Sequence, residues 1–171
     1  MAIHLVTGGC GFVGRNMVQR LFNNTPDRIL LIDDLSVGTH PETWAPWPCD
    51  GEQSGVTAYA SGRVLFLKAD LRDVLRELNK DPEYLVKQHG LDVVRFKDIF
   101  HFAAIVGGRS KIDGDPMLVA QDLSIDAEIF LYVCRNKPQR FLYPSSSAAY
   151  PSDLQTEIKS VLLLDGEIEL S

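Results

Sequence analysis

Residues 4–22 read HLVTGGCGFVGRNMVQRLF. A short apolar run closes at Thr7 in a glycine-dense bend, and beyond the bend Val13, Met17 and Leu21 recur at every fourth position, with Arg15, Asn16, Gln19 and Arg20 on the other faces. That is a strand, a bend and an amphipathic helix meant to lie on a sheet. Two spacings overlap in the bend: Gly8, Gly11 and Gly14 form G-x-x-G-x-x-G, while Gly9, Gly11 and Gly14 form G-x-G-x-x-G. Bare backbone at those positions serves a tight exit from the strand, the close approach of a ligand, and a helix packed hard against the sheet.

The ligand that such a bend suits is a pyrophosphate, because the helix that follows presents unpaired N–H groups and the positive end of its dipole. Asp33 closes the next apolar run 19 positions after Gly14. An acid placed there accepts hydrogen bonds from an adenosine ribose, which makes the expected cofactor NAD. A 2′-phosphate would meet Asp33 and Asp34 with no arginine directly after them, so like-charge repulsion disfavours NADP.

Working outward, five short runs read as strands: Ile3–Thr7, Arg28–Asp33, Val64–Lys68, Asp98–Phe102 and Arg140–Pro144. A long helix is announced by Asp115 as N-cap and Pro116 in the first turn, and the expected core face is Val119, Leu123, Ala127, Phe130 and Cys134, ending near Asn136. Leu71–Leu78 and Asp81–Gln88 read as further helices, and residues 36–62, rich in Pro, Gly and polar side chains, as a long surface loop. Strand–helix alternation with nearly continuous apolar strands implies a doubly wound α/β domain, a parallel sheet with helices on both faces.

Composition narrows the partners. The chain has 171 residues, 45% of them hydrophobic, enough for one globular domain. A net charge of −6 argues against nucleic acid as the partner. Cys10, Cys49 and Cys134 are odd in number and lack C-x-x-C spacing, so neither a disulfide framework nor a metal site is expected, and a reducing cytoplasm fits. No apolar run reaches the length of a bilayer span, and the first strand begins too early for a signal peptide, so no membrane association is expected.

With VTGGCGFVG (6–14), LLIDDLSVG (30–38), KADLRD (68–73), FHFAAIVGG (100–108) and FLYPSSSAAYP (141–151) in this order, the sequence resembles the extended short-chain dehydrogenase/reductase family, the NAD-dependent nucleotide-sugar epimerases and dehydratases. The resemblance covers residues 3 to about 151. It implies a Rossmann fold in which Thr7, Gly8, Gly9, Gly11, Phe12, Val13 and Gly14 form the phosphate loop and Asp33, with Asp34 beside it, holds the ribose. It also implies that Asp70 and Leu71 border the adenine, that Phe102, Ala103 and Ala104 line the cofactor, and that Ser146, four residues before Tyr150, is the catalytic hydroxyl hydrogen-bonded to the sugar oxygen. Read without the family, Asp70 is simply a cap for the helix starting at Leu71. A nucleotide-sugar substrate and pairing into a homodimer follow from the same resemblance.

The chain also departs from the family. Its base is a Tyr-x-x-x-Lys pair, and the residues four beyond Tyr59, Tyr84, Tyr132, Tyr143 and Tyr150 are Arg63, Gln88, Asn136, Ser147 and Leu154. Asp122 stands where the family commonly has Asn. Residues 1–151 are therefore expected to be the NAD-binding domain and the acidic stretch 152–171 the start of a missing C-terminal region, the whole being the cofactor-binding portion of an epimerase, inactive alone. Ala148 stands where dehydratases place a proton-transferring Glu, which disfavours that activity. A simple reductase, or a dinucleotide-binding sensor without catalysis, remains the alternative.

Overall fold

In the computed structural model, which describes residues 1–105 and 114–145, the first apolar run becomes the centre of the sheet. Strand β1 (Ile3–Thr7) pairs in parallel with β2 (Arg28–Asp33) on one side and with β6 (Asp98–His101) on the other. Among the described residues the sheet has seven strands in the order β3-β4-β5-β2-β1-β6-β7, with β3 at Cys49–Gln53, β4 at Val56–Tyr59, β5 at Val64–Lys68 and β7 at Arg140–Leu142. The parallel part, β5-β2-β1-β6-β7, reverses its order of growth at β1. All five expected strands are present. In such a sheet the crevice for a ligand opens beyond the carboxyl ends of the two strands at the reversal, here β1 and β6.

Side-chain alternation divides the core between the two faces. Helix α1 (Phe12–Asn24) lies on one face, where Val18 and Leu21 meet Val6, Ile29, Leu31 and Phe66. On the other face α2 (Leu71–Lys80), α3 (Tyr84–His89) and α4 (Pro116–Asn136) cover Leu5, Leu30, Ile32, Leu65 and Leu67.

Two helix phases differ from the expected ones. In α1 the buried stripe is Gly14, Val18 and Leu21, and Val13 is exposed. The phase is set by Gly14: the helix comes so close to the bend that a Cβ there would lie 2.2 Å from the Gly8 carbonyl oxygen. In α4 the side against the sheet is Ile125, Ile129 and Tyr132, with Ile129 0% exposed, whereas Val119, Leu123, Phe130 and Cys134 face outward and Leu123 is 62% exposed. This helix is apolar on two sides, so periodicity alone allowed either to face inward.

Residues 36–62 are a further correction. They contain a 3₁₀ turn (Pro41–Thr43) and a hairpin of β3 (Cys49–Gln53) and β4 (Val56–Tyr59), which extends the sheet antiparallel to β5. Its two-residue turn places Ser54 at φ 51° and Gly55 at φ 77°, the mirror-image geometry that matches strand twist. Tyr59 points into the core on the α1 face, over which Trp44 and Trp47 pack, and Val56 into the core of the opposite face.

At the amino ends of the strands, away from the crevice, His4 on β1 is wedged between the carboxylates of Asp27 (3.3 Å) and Asp98 (3.2 Å). Lys97 donates to Asp27 at 2.9 Å, and Arg140 approaches Asp98 at 3.4 Å. These side chains gather at the starts of β1, β2, β6 and β7.

Candidate functional site: a dinucleotide cradle

The bend after β1 is held from several directions. The Gly8 N–H donates to the Ile32 carbonyl at 2.9 Å, and Gly8 adopts φ +63°, a conformation that favours glycine. A Cβ there would also meet the backbone of Phe102 and Ala103 at 2.6 Å, because the two loops flanking the crevice touch at this residue. Gly11 differs. It is the N-cap of α1 with ordinary φ, and a Cβ on it would meet only the Gly8 oxygen, at 3.4 Å.

No side chain caps α1 and no acid sits in its first turn. Its leading N–H groups therefore have neither an intrahelical acceptor nor a built-in substitute. Phe12 and Val13 are both exposed at this mouth. An open glycine at the N-cap, uncapped amides and no competing carboxylate in the turn are the features a pyrophosphate requires, so the residues present fit a dinucleotide.

Asp33, at the carboxyl end of β2, is buried and engaged within the chain. Its Oδ2 accepts from the Cys10 N–H at 2.9 Å and its Oδ1 from the Leu35 N–H at 2.8 Å. The carboxylate thus braces the phosphate loop from below, and each oxygen retains a further lone-pair direction. Beside it the exposed Asp34 accepts from the Ser36 N–H at 2.9 Å. The Thr39 N–H reaches the Cys10 carbonyl at 3.1 Å, tying the following loop to the same bend. The buried Cys10 thiol is pushed far above its ordinary pKa by burial and by Asp33, which makes it a packing group at neutral pH.

Asp70 occupies the neighbouring strand end after β5. Its Oδ1 caps α2 through the Arg72 N–H at 2.9 Å, and its carboxylate is gripped by the Arg72 guanidinium, which holds its pKa below the usual carboxylate range. The capping role is therefore realised, and Leu71 behind it is buried. Phe102, Ala103 and Ala104 follow β6 along the crevice. Asp122 accepts from the Ile105 N–H at 2.7 Å, so it anchors the loop after β6. Ser146 and Tyr150, with the stretch 152–171, lie outside the described residues.

Thr7 has a role that motif spacing did not reveal. It is 0% exposed, and its hydroxyl lies 2.7 Å from His101 Nδ1. His101 in turn faces Asp126 on α4, to which Tyr143 also donates at 2.7 Å. Sequence reading missed His101, Asp126 and Tyr143 because they stand 25 and 17 positions apart in the chain and meet only through the sheet.

A parallel sheet reversing at β1, with an uncapped helix start and a braced glycine bend at that point, defines a dinucleotide-binding domain of the Rossmann class. The model of the NAD dependent epimerase/dehydratase family matches residues 4–165, and the chain belongs to that family, whose cofactor is NAD. It is similar to the Arabidopsis thaliana protein named "Probable UDP-arabinose 4-epimerase 3", 28% identical over 148 residues, covering 85% of this chain and 31% of the relative. The fold is shared with the UDP-Glc/GlcNAc 4-epimerase of Campylobacter jejuni at TM-score 0.62 and 19% identity, covering 88% of this chain and 39% of that one. It is shared also with the Bordetella bronchiseptica enzyme WbmG, solved with NAD, at TM-score 0.56 and 18% identity, covering 86% and 38%. The chain thus spans less than half the length of these relatives. No helix among the described residues is long and apolar enough to cross a membrane.

Proposed function

We propose that this chain is the NAD-binding portion of a nucleotide-sugar epimerase of the cytoplasm, able to hold its cofactor but without turnover alone. The observation that carries the reading is the uncapped, glycine-lined start of α1 at the sheet's reversal point, in a chain of 171 residues with no Tyr-x-x-x-Lys pair. When bound, NAD supplies reversible hydride acceptance from a sugar carbon.

The chain's own residues orient it. Amides of Gly9 and of the first turn of α1 receive the pyrophosphate over Gly11, Phe12 and Val13. Asp33 and Asp34 receive the ribose hydroxyls, Asp70 and Leu71 border the adenine, and Phe102, Ala103 and Ala104 form a wall without bulky polar groups. Ser146 hydrogen-bonds the sugar oxygen whose charge changes during the reaction. The substrate class is supported by the UDP-sugar named for the relative of the same fold.

Titration calorimetry with NAD, followed by incubation of the loaded chain with UDP-glucose and chromatography of the products, tests this. Binding without interconversion is expected. Absence of NAD binding, or epimer formed by this chain alone, overturns it.

A further inference from the structure

Four side chains from four separate elements meet beside the crevice: Thr7 ending β1, His101 ending β6, Asp126 on α4 and Tyr143 just past β7. Thr7 and His101 are 0% and 2% exposed, so their hydrogen bonds cannot be exchanged freely for water. The donor directions can be worked out. The Ala103 N–H donates to Thr7 Oγ1 at 3.4 Å, and the Phe102 N–H, which donates to the Thr7 carbonyl at 3.0 Å, also reaches Oγ1 at 3.3 Å, so that oxygen accepts from the backbone. Its single proton is left to donate to His101 Nδ1 at 2.7 Å.

Nδ1 must then carry the lone pair and Nε2 the proton. Nε2 lies 3.4 Å from Asp126 Oδ1, a group that can only accept. The reverse tautomer would set the Nε2 lone pair against that carboxylate, so both ends of the ring require the same assignment. Asp126 Oδ2 accepts from the Tyr143 hydroxyl at 2.7 Å, and the tyrosine ring stacks on the imidazole with centroids 5.8 Å apart and planes 12° apart.

We propose that this directed chain of hydrogen bonds is a positioning device in which one carboxylate, Asp126, sets the phosphate loop through His101 and Thr7 and ties the end of the sheet to it through Tyr143. It rests on the NAD-binding reading above. Thr7 immediately precedes Gly8, where the two crevice loops touch. Asp126 therefore acts on the cofactor loop through other residues. The charged or titratable groups facing the imidazole are Asp126 and Asp122 from α4 and Tyr143 just past β7. Burial lowers the His101 pKa and the hydrogen bond to Asp126 pushes Tyr143 up to about 12, so the donor pattern holds at neutral pH.

The test uses the chain labelled with ¹⁵N-histidine, the His101 signals being assigned by their loss in His101→Asn. Long-range ¹H–¹⁵N correlation at neutral pH should show a neutral ring protonated at Nε2. A ring protonated at Nδ1, or an imidazolium, overturns the proposal. In calorimetry, Asp126→Ala should weaken NAD binding about tenfold, the order of one hydrogen bond, while the isosteric Asp126→Asn should recover most of it. Thr7→Val should lose a similar factor and Thr7→Ser restore it. The double variant Thr7→Val/Asp126→Ala should be little worse than either single one, since both cut the same chain. Equal NAD affinity in a folded Asp126→Ala variant, or strictly additive losses, overturns the proposal. If Asp126→Ala does not fold, the wild-type tautomer and the Thr7 pair decide it. Wild-type protein that shows the Nε2–H ring yet binds no NAD refutes the cofactor reading and upholds the hydrogen-bond direction; the wrong tautomer with NAD bound does the opposite.

Discussion

Alanine at Gly11 and alanine at Gly14 should fail in different ways. At Gly14 the new Cβ would lie 2.2 Å from the Gly8 oxygen and 2.8 Å from the Gly9 Cα, both backbone atoms in a bend already fixed by the Gly8 N–H to Ile32. Helix α1 or the bend must shift, and overpacking of this kind costs about 1–3 kcal/mol. For a domain of this size each kcal/mol lowers Tm by about 2–4 °C, so G14A should melt roughly 2–12 °C below wild type without any ligand. At Gly11 the Cβ would have one neighbour, the Gly8 oxygen at 3.4 Å, with φ −73° that any residue adopts. The cost there is the weaker N-cap propensity of alanine, about 1 kcal/mol or less. On the proposed reading, that methyl would stand at the helix start where the pyrophosphate meets the amides. G11A should therefore keep a near-wild-type melting curve by circular dichroism and lose NAD affinity by at least about tenfold, or 1.4 kcal/mol. A G11A protein that binds NAD as wild type does, or a G14A protein of unchanged Tm, would refute the assignment of this bend.

Other consequences can be measured on the same protein. Asp33→Asn turns one of two acceptors into a donor facing an N–H, from either Cys10 or Leu35, so it should cost about 1–3 kcal/mol; an unchanged thermal melt contradicts the bracing role. Asp27, paired first with Lys97, and Asp70, paired first with Arg72, have lowered folded pKa values. Their stabilisation is present above the ordinary carboxylate value, about 3.9, and is lost as pH falls through the lower folded values. Lys97→Ala and Arg72→Ala should flatten the acid limb of the stability curve measured by urea titration. His101 also has a lowered folded pKa, so its contribution is complete above the ordinary imidazole value, about 6.5, and disappears as pH falls through the folded one. NAD affinity should fall with it, and a profile identical in His101→Asn would show that another group is responsible.

Much of this was legible from residue order because the relevant forces are local. The glycine spacing, the apolar runs and the Asp115 and Asp70 caps depend on neighbours within a few positions, and all five parallel strands and the starts of α1, α2 and α4 appear where those signals place them. The hairpin of residues 49–59 was obscured by its exposed strand β3, whose side chains carry no apolar alternation. Its Ser54-Gly55 turn was the available signal.

Tertiary structure decided the rest, for reasons of packing and distance. Helix α4 has apolar residues on two sides, and only the sheet selects Ile129 and Tyr132 to be covered while Leu123 faces outward. Gly14 sets the rotation of α1 through a contact with Gly8 that no periodicity encodes. Thr7 meets His101 across 94 positions of sequence, and Asp126 joins them from a helix on the far side of the crossover. A dinucleotide-binding strand–bend–helix was thus written into the sequence by itself, since bare backbone and an uncapped helix start are properties of a dozen consecutive residues. The carboxylate that governs how that bend is held became visible only when the sheet brought four distant elements together.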